Sequence, residues 1–128
     1  MIDQQDLPAE IRSKNFEIPK GYYRICELGL TNIQPWYFLE GQEFRTIYLG
    51  IQRRYPQRVL LPFARRQDND DVACFVVDCR DYKLGQILVI HDYASSGYEV
   101  HNSFPSFWDW FRMAIDEMID SSEALSEK

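Results

Sequence analysis

The chain lacks any long hydrophobic run, and none of its apolar stretches approaches the roughly 20 residues that a membrane-spanning helix needs. The segment Met1–Glu10 also lacks the basic start and the apolar middle of a secretory signal peptide. We therefore expect a cytoplasmic protein that makes no contact with membranes. Its 128 residues, 45% of them hydrophobic, predict a single domain over 1–128 with a hydrophobic core.

Chemically reactive residues are few and form no familiar catalytic pattern. The three cysteines, Cys26, Cys74 and Cys79, contain no CxxC pair, so nothing indicates a zinc or redox site and we predict three reduced thiols. The adjacent His91 and Asp92 would point to opposite faces of a strand, so they do not form a base with its orienting acid. A glycine-rich phosphate loop and a nucleophile elbow are also absent. We expect neither an enzyme nor a bound cofactor.

An overall excess of positive charge is missing as well. The formal net charge of -6 argues against a general nucleic-acid binder, because binding to phosphates needs a local positive excess. We expect no direct contact with nucleic acid. Arginines nevertheless concentrate in the middle of the sequence and predict a basic patch, whereas the residues after Trp108 are acidic; such polarised charge is typical of a protein that docks on a partner protein. The clustered arginines are Arg45, Arg53, Arg54, Arg58, Arg65 and Arg66.

The most informative stretch is Leu60–Asp78, in which two apolar segments flank a charged turn. The segments Val59–Ala64 and Val72–Val77 have the length and composition of strands, and they predict an antiparallel hairpin. The turn between them, Arg65–Asp71, is predicted to face water or a partner, because ionised groups without partners are costly to desolvate.

Asp68, Asp70 and Asp71 in this turn raise the question of a metal site, since calcium loops begin with carboxylates at a similar spacing. The pattern then fails, because a loop starting at Asp68 would need an oxygen ligand at Val72 and a glutamate at Cys79. We therefore expect no metal site here. The turn is interpreted either as a solvated loop or as a contact surface.

Hydrophobic spacing predicts further helices and strands around this hairpin. The segment Met1–Asn15 predicts little regular structure or a short helix. Short turns between the strands favour antiparallel pairing, because a parallel return needs a long crossover. The other predicted elements are helices over Lys20–Leu28 and Gln42–Arg53, a short strand over Trp36–Leu39, an interior strand over Gln86–Tyr93 and an edge strand over Tyr98–His101.

The clearest helix signal lies in the C-terminal segment. Ser103 suits the N-cap, Pro105 suits the first turn, and an apolar stripe follows at helical spacing. We predict a helix that ends near Asp120 and leaves 121–128 as a frayed acidic tail. Trp110 falls off the stripe and is predicted to lie outside the core. The stripe consists of Phe104, Phe107, Trp108, Phe111, Ile115, Met118 and Ile119.

Five short motifs follow one another between Leu60 and Ile119. They are LPFA at Leu61–Ala64, an acidic turn closing on Asp71, a hydrophobic strand ending in Asp78, the strand Ile87–Ile90 followed by His91-Asp92, and Ser103-Phe104 opening an aromatic helix. This succession resembles the SUKH superfamily. The resemblance implies an α+β fold in which a mainly antiparallel sheet is flanked by helices, with the C-terminal amphipathic helix packed on the sheet.

The resemblance also implies a function, because many bacterial members of the SUKH superfamily are immunity proteins that bind and neutralise a cognate toxin, often a nuclease. Other members are regulators, including the fungal cell-wall synthesis regulators. The leading hypothesis is a non-catalytic immunity protein. The alternative is an intracellular regulatory scaffold that recognises endogenous proteins, and a metal-dependent enzyme comes third. The candidate partner-binding residues are Arg65, Arg66, Asp68, Asp70 and Asp71 in the charged turn, with Trp36, Tyr55 and Trp110 as aromatic anchors.

Overall fold

Within residues 1–126, whose backbone the computed structural model describes, six antiparallel strands form one sheet. Side chains are described as far as Ser122. Each strand pairs with its neighbours in the sequence, so β3 and β4 lie at the centre and β6 lies at one edge. The strands are β1 (Asn32–Ile33), β2 (Trp36–Phe38), β3 (Val59–Arg66), β4 (Asp71–Asp78), β5 (Ile87–His91) and β6 (Val100–Phe104).

Four α-helices accompany the sheet in the described part of the chain, which has the predicted α+β class. At the end of the second helix, Gly29 adopts a φ of +74°, and the N–H of Leu30 donates to the carbonyl of Ile25. None of these helices is both long and apolar enough to cross a membrane. The helices are α1 (Ala9–Arg12), α2 (Lys20–Glu27), α3 (Gly41–Arg54) and α4 (Phe107–Ser126), and a short 3-10 turn (Gln4–Asp6) precedes them.

Successive residues of β2 show that helices cover both faces of the sheet. Trp36 and Phe38 contact Trp110 of α4. Tyr37, between them, donates a hydrogen bond of 2.7 Å to Glu43 of α3. Because side chains alternate along a strand, α4 covers one face and α3 covers the other. We refer to them as the α4 face and the α3 face.

The α4 face is filled by aromatic side chains. Phe63 of β3 and Phe75 of β4 stack with their ring centroids 4.3 Å apart. Tyr22 of α2 meets Phe63 edge-on, and Phe107 and Trp110 of α4 pack on the same ring. Such edge-to-face and offset contacts add to the hydrophobic gain from burying large rings. This cluster fixes α2 and α4 against the sheet.

The predicted hairpin is confirmed, since β3 and β4 pair antiparallel across the charged turn. Proline is unusual in a central strand, because it cannot donate a ladder hydrogen bond. Here the register shifts between Pro62 and Ala64, and this irregularity accommodates Pro62 within β3.

Most of the other predicted helices and strands are also confirmed. Helix α1 lies within the N-terminal segment, α2 and α3 match the two predicted helices within one residue at each end, and β5 is buried on both sides as an interior strand. The predicted edge strand exists but runs over Val100–Phe104. The three cysteines, Cys26, Cys74 and Cys79, are free thiols, as predicted.

The predicted start of the C-terminal helix is wrong. Ser103 and Phe104 belong to β6, and α4 begins at Phe107. Ser106 takes the capping position, because its Oγ accepts from the N–H of Asp109 at 3.3 Å and donates to the carboxylate of Asp109 at 2.7 Å. The helix therefore starts three residues later than the predicted N-cap at Ser103 implied.

The predicted core stripe of this helix is partly wrong as well. Trp108 is 44% exposed and Ile119 is 45% exposed. The residues that face the sheet are Phe107, Trp110, Phe111 and Ala114, which are all buried. The predicted end near Asp120 is also wrong, because the backbone stays helical as far as Ser126. Of the predicted tail, 127 and 128 lie outside the described residues.

Candidate protein-binding surface

The charged turn between β3 and β4 holds Arg66 in a network of ion pairs. Its guanidinium donates two hydrogen bonds to Asp68, of 2.8 Å from Nε and 2.9 Å from Nη2. A further bond reaches Glu117 of α4. The hydrogen bond from Arg66 holds the pKa of the Asp68 carboxyl below its ordinary value. The charges of Arg66 and Asp68 thus compensate each other, and Arg66 joins the turn to α4.

Arg65 and Asp70 are the looser part of the same turn. Arg65 lies 3.8 Å from the carboxylate of Glu43 and 3.6 Å from that of Asp70. Asp71 behaves differently, because it is buried and its Oδ1 lies 2.9 Å from Nδ1 of His91. The prediction that the whole turn faces water or a partner is therefore wrong for Asp71, whereas Arg65 and Asp70 stay accessible.

The predicted basic patch is not continuous, because acidic residues from distant parts of the sequence neutralise most of it. Arg54 pairs with Asp92 and Arg58 pairs with Glu99, in addition to the pairs of the charged turn. Among the side chains that the structure describes, Arg45 and Arg53 form no ion pair. The accessible positive charge is thus concentrated at a few positions.

The three aromatic residues proposed as anchors lie in the core. Trp36 and Tyr55 are each 1% exposed and Trp110 is fully buried. Trp36 meets Trp110 edge-on at 5.4 Å under α4, and the Tyr55 hydroxyl donates to the carbonyl of Ala94 at 2.7 Å. The prediction that they are exposed is wrong, because the contacts that bury them come from elements far away in the sequence.

A cleft of about 300 Å³ opens beside the charged turn, on the α3 face. It lies between α3, the turn, and the loop of residues 92–99 that connects β5 to β6. We call it the Tyr93 cleft. Its lining includes Leu49, Gly50 and Arg53 of α3, Arg65 and Asp70 of the hairpin, and Tyr93 of the loop.

Arg54 joins α3 to the loop at the floor of this cleft. Its Nε and Nη2 donate to the two carboxylate oxygens of Asp92 at 2.8 and 2.7 Å, a bidentate pair that satisfies a largely buried acid. Asp92 therefore points to α3, whereas His91 binds Asp71, which confirms that the two neighbours face opposite ways. The guanidinium folds back over Gly50, where a Cβ would lie 2.7 Å from Nη2 of Arg54. Gly50 thus leaves room for this arginine, although glycine disfavours a helix interior by about 1 kcal/mol.

Tyr93 stands at the rim of the cleft in a constrained conformation. Its φ of +68° lies in the left-handed region, which a bulky residue adopts only under tertiary constraint. Two contacts supply the constraint: the Tyr93 N–H donates to Asp92 Oδ1 at 2.9 Å, and the Arg54 guanidinium lies 4.1 Å from the centre of the Tyr93 ring. The ring is nevertheless 70% exposed. The surroundings therefore hold an accessible aromatic side chain in one orientation.

The remainder of the loop is tied in the same manner to the residues that follow α3. Glu99 is almost fully buried, and it pairs with Arg58 and accepts a hydrogen bond of 2.6 Å from the N–H of Gly97. The bond from Tyr55 to Ala94 lies between the two ion pairs. Three consecutive contacts thus fix the loop that carries Tyr93.

Carboxylates of the described residues form no metal-binding group. Within that part of the chain, no cluster of three or more His, Cys, Asp or Glu side chains is placed to hold a metal ion. The acidic residues of the turn instead contact cationic side chains of the protein itself, as in the pair of Asp68 with Arg66. Cys74 is buried, and burial raises the pKa of its thiol well above the ordinary value.

Two residues of the cleft, Arg65 and Asp70, are among the partner-binding residues predicted from the sequence. Leu49, Gly50 and Tyr93 are not among them. The sequence predicts Tyr93 as the last residue of a strand, and left-handed backbone geometry in a tyrosine leaves no signal in the sequence. A weak signal existed at Gly50, because an isolated glycine inside a helical pattern often has a packing or functional reason. The pairing of Arg54 and Arg58 with Asp92 and Glu99 depends on tertiary structure alone.

Comparisons of the chain with known protein families, with characterised proteins and with solved structures give no match.

Proposed function

We propose that the protein is a non-catalytic binding module, and that it acts as an immunity protein that binds and neutralises a cognate bacterial toxin. The observation that carries this proposal is the Tyr93 cleft, where an exposed aromatic ring is held rigid beside exposed Leu49 and accessible arginine. Aromatic residues and arginines at a preorganised site are typical of protein-binding hot spots.

The motif order that resembles the SUKH superfamily supports the toxin as partner. LPFA lies on β3, the acidic turn follows it, and the strands that end near Asp78 and His91 are β4 and β5. The motifs therefore follow one another through the centre of one sheet. Ser103-Phe104 departs from this pattern, since it lies on β6 and not at the start of the helix.

Neutralisation by such a module is stoichiometric. Charge complementarity speeds the encounter of the two proteins, and the burial of aromatic and aliphatic side chains slows dissociation. The protein would cover a surface of the toxin that the toxin needs for its own activity. No chemical step on the part of this chain is required.

The proposal predicts a toxin gene immediately upstream of this one, and the test is co-expression with the toxin domain that this gene encodes. We expect the protein to rescue growth and to co-purify with this toxin in equal molar amounts. A toxin of similar activity from an unrelated toxin and immunity pair serves as the control, and it should not be rescued. Absence of both rescue and co-purification would contradict the proposal and favour the regulatory scaffold.

A further inference from the structure

We infer that the Tyr93 cleft is the surface through which the partner binds, and that it takes a protein segment bearing a carboxylate beside an apolar side chain. The carboxylate would pair with Arg53, and the apolar group would pack on Tyr93 and Leu49. This inference rests on the proposed function, because it names the site by which the partner is recognised.

The charge balance of the cleft indicates the carboxylate. Its lining holds three arginines and two aspartates, although the whole chain has a net charge of -6. Asp92 is taken by Arg54, and Asp70 lies nearest to Arg65. Arg53 is exposed and has no acidic partner among the described side chains. A local positive charge on an acidic protein attracts an acidic group and steers its approach.

The apolar side chains at the rim of the cleft indicate that the partner segment also carries an apolar side chain. Leu49 is 58% exposed and Tyr93 is 70% exposed, and both line the same cleft. A volume of about 300 Å³ is at the lower end of the range for small-molecule pockets, and it suits one large side chain with its neighbours. Removing both side chains from water on binding would supply hydrophobic free energy at the centre of the contact.

The fixed geometry of Tyr93 favours a binding role over an incidental exposed ring. A left-handed conformation of a non-glycine residue is maintained at a cost, and such residues cluster at functional sites. The bidentate pair of Arg54 with Asp92 holds the ring from below, and Gly50 makes room for that pair. The ring therefore loses little conformational freedom when a partner covers it.

The first experiment pans a phage-displayed library of random 12-residue peptides against the full-length protein. We expect the enriched peptides to carry aspartate or glutamate next to an aliphatic or aromatic residue. Tyr93→Asn should weaken their binding roughly 30-fold, as expected for loss of a hot-spot residue, and Arg53→Glu at least about tenfold. Asparagine tolerates a positive φ, so Tyr93→Asn keeps the loop geometry.

Two matched controls separate the cleft from general surface effects. Tyr98→Asn removes an even more exposed tyrosine of the same loop that does not line the cleft. Arg45→Glu reverses an exposed arginine of the same helix that also lies outside the cleft. Both controls should bind the peptides like the wild type. Enrichment without acidic residues, no enrichment at all, or equal effects of variants and controls would overturn the inference.

The second experiment places the same variants in the growth rescue by co-expression. Loss of rescue with Tyr93→Asn and Arg53→Glu, but not with their controls, supports both the surface and the toxin-binding function. If the wild type and all variants rescue growth equally, the surface is wrong and the function stands. If the wild type does not rescue growth while the acidic peptides bind the cleft, the function is wrong and the surface stands.

Discussion

The two faces of the sheet differ in chemistry. On the α4 face, Phe63 stacks on Phe75 and meets Trp110 edge-on, and all three rings are buried. On the α3 face, ion pairs such as Arg54 with Asp92 lie beside a cleft with exposed side chains. One face thus provides stability through dry packing, whereas the other holds charged groups in fixed positions near solvent. The stability of the α4 face offsets the cost of holding the exposed Tyr93 of the α3 face in a strained conformation.

The largest expected effect on stability lies on the α4 face. Trp110→Ala should lower the free energy of unfolding by about 3–5 kcal/mol, because it leaves a large cavity under α4. Trp108→Ala is the matched control, and as a half-exposed residue it should cost about 1 kcal/mol. Urea denaturation with an unchanged m-value measures both. Equal costs, or a larger cost for Trp108→Ala, would mean that α4 is rotated relative to this description.

The sequence predicts Trp108 in the core and Trp110 outside it, whereas the structure shows the reverse. Helical spacing identified the C-terminal helix correctly, but two overlapping stripes satisfy the same spacing. The stripe through Trp108 contains more large apolar residues, whereas the observed stripe through Trp110 includes the small residue Ala114. Only the rings that the sheet and α2 present to the helix select the second stripe. Tertiary contacts of this kind, such as Phe63 with Trp110, are not written in local periodicity.

An intermediate effect is expected for the buried ion pair of Arg58 with Glu99, which holds the loop that carries Tyr93. Arg58→Met should lower the free energy of unfolding by about 3 kcal/mol, because it leaves the buried carboxylate of Glu99 without its cation. Arg65→Met, at a more exposed arginine with contacts of 3.6 and 3.8 Å, should cost less than about 1 kcal/mol. Chemical denaturation at neutral pH compares the two.

A second variant keeps this comparison falsifiable. If the cost of Arg58→Met comes from the unpaired carboxylate, adding Glu99→Gln should recover most of the lost stability, since the remaining buried group carries no charge. If Arg58→Met and Arg65→Met cost the same, or if Glu99→Gln recovers nothing, the ion pairs of this face contribute through packing alone. The difference in chemistry between the two faces would then be smaller than the contacts suggest.

The charged residues show a second limit of sequence reasoning. The composition of Leu60–Asp78 was sufficient to predict a hairpin with a charged turn, because strand length and turn chemistry are local. It was not sufficient to predict that Arg66 pairs with Glu117, which lies on α4. Nor could it separate Asp71, which is buried, from Asp70, which is exposed. The tertiary partners of each charged residue therefore decide which part of the turn is accessible.

The smallest expected effect concerns His91 and Asp71, a polar pair at the end of the aromatic face. Asp71 and Phe75 are four residues apart on β4, so their side chains lie on the same face of the sheet. On this face Phe75 packs against aromatic rings. The hydrogen bond to Asp71 raises the pKa of His91, and the charges of Asp70 and Asp92 add to it. We expect the pair to give a pH-dependent contribution to stability.

The sign of this contribution follows from the raised pKa in the folded state. The stabilisation is fully present below the unfolded-state pKa of about 6.5, and it is lost as the pH rises through the higher folded-state pKa of His91. Asparagine offers an uncharged donor near the position of Nδ1. The difference in free energy of unfolding between wild type and His91→Asn should therefore be larger at about pH 5.5 than at about pH 8.5. Urea denaturation at the two pH values measures it.

His101→Asn is the control, because His101 forms no ion pair among the described side chains and lies on the exposed edge strand β6. The pH dependence of the effect of His91→Asn is measured relative to this variant. A difference for His91→Asn that does not change with pH would mean that the imidazole stays neutral and that Asp71 accepts an ordinary hydrogen bond. In that case the pair would contribute a hydrogen bond, and no attraction between opposite charges, at this end of the α4 face.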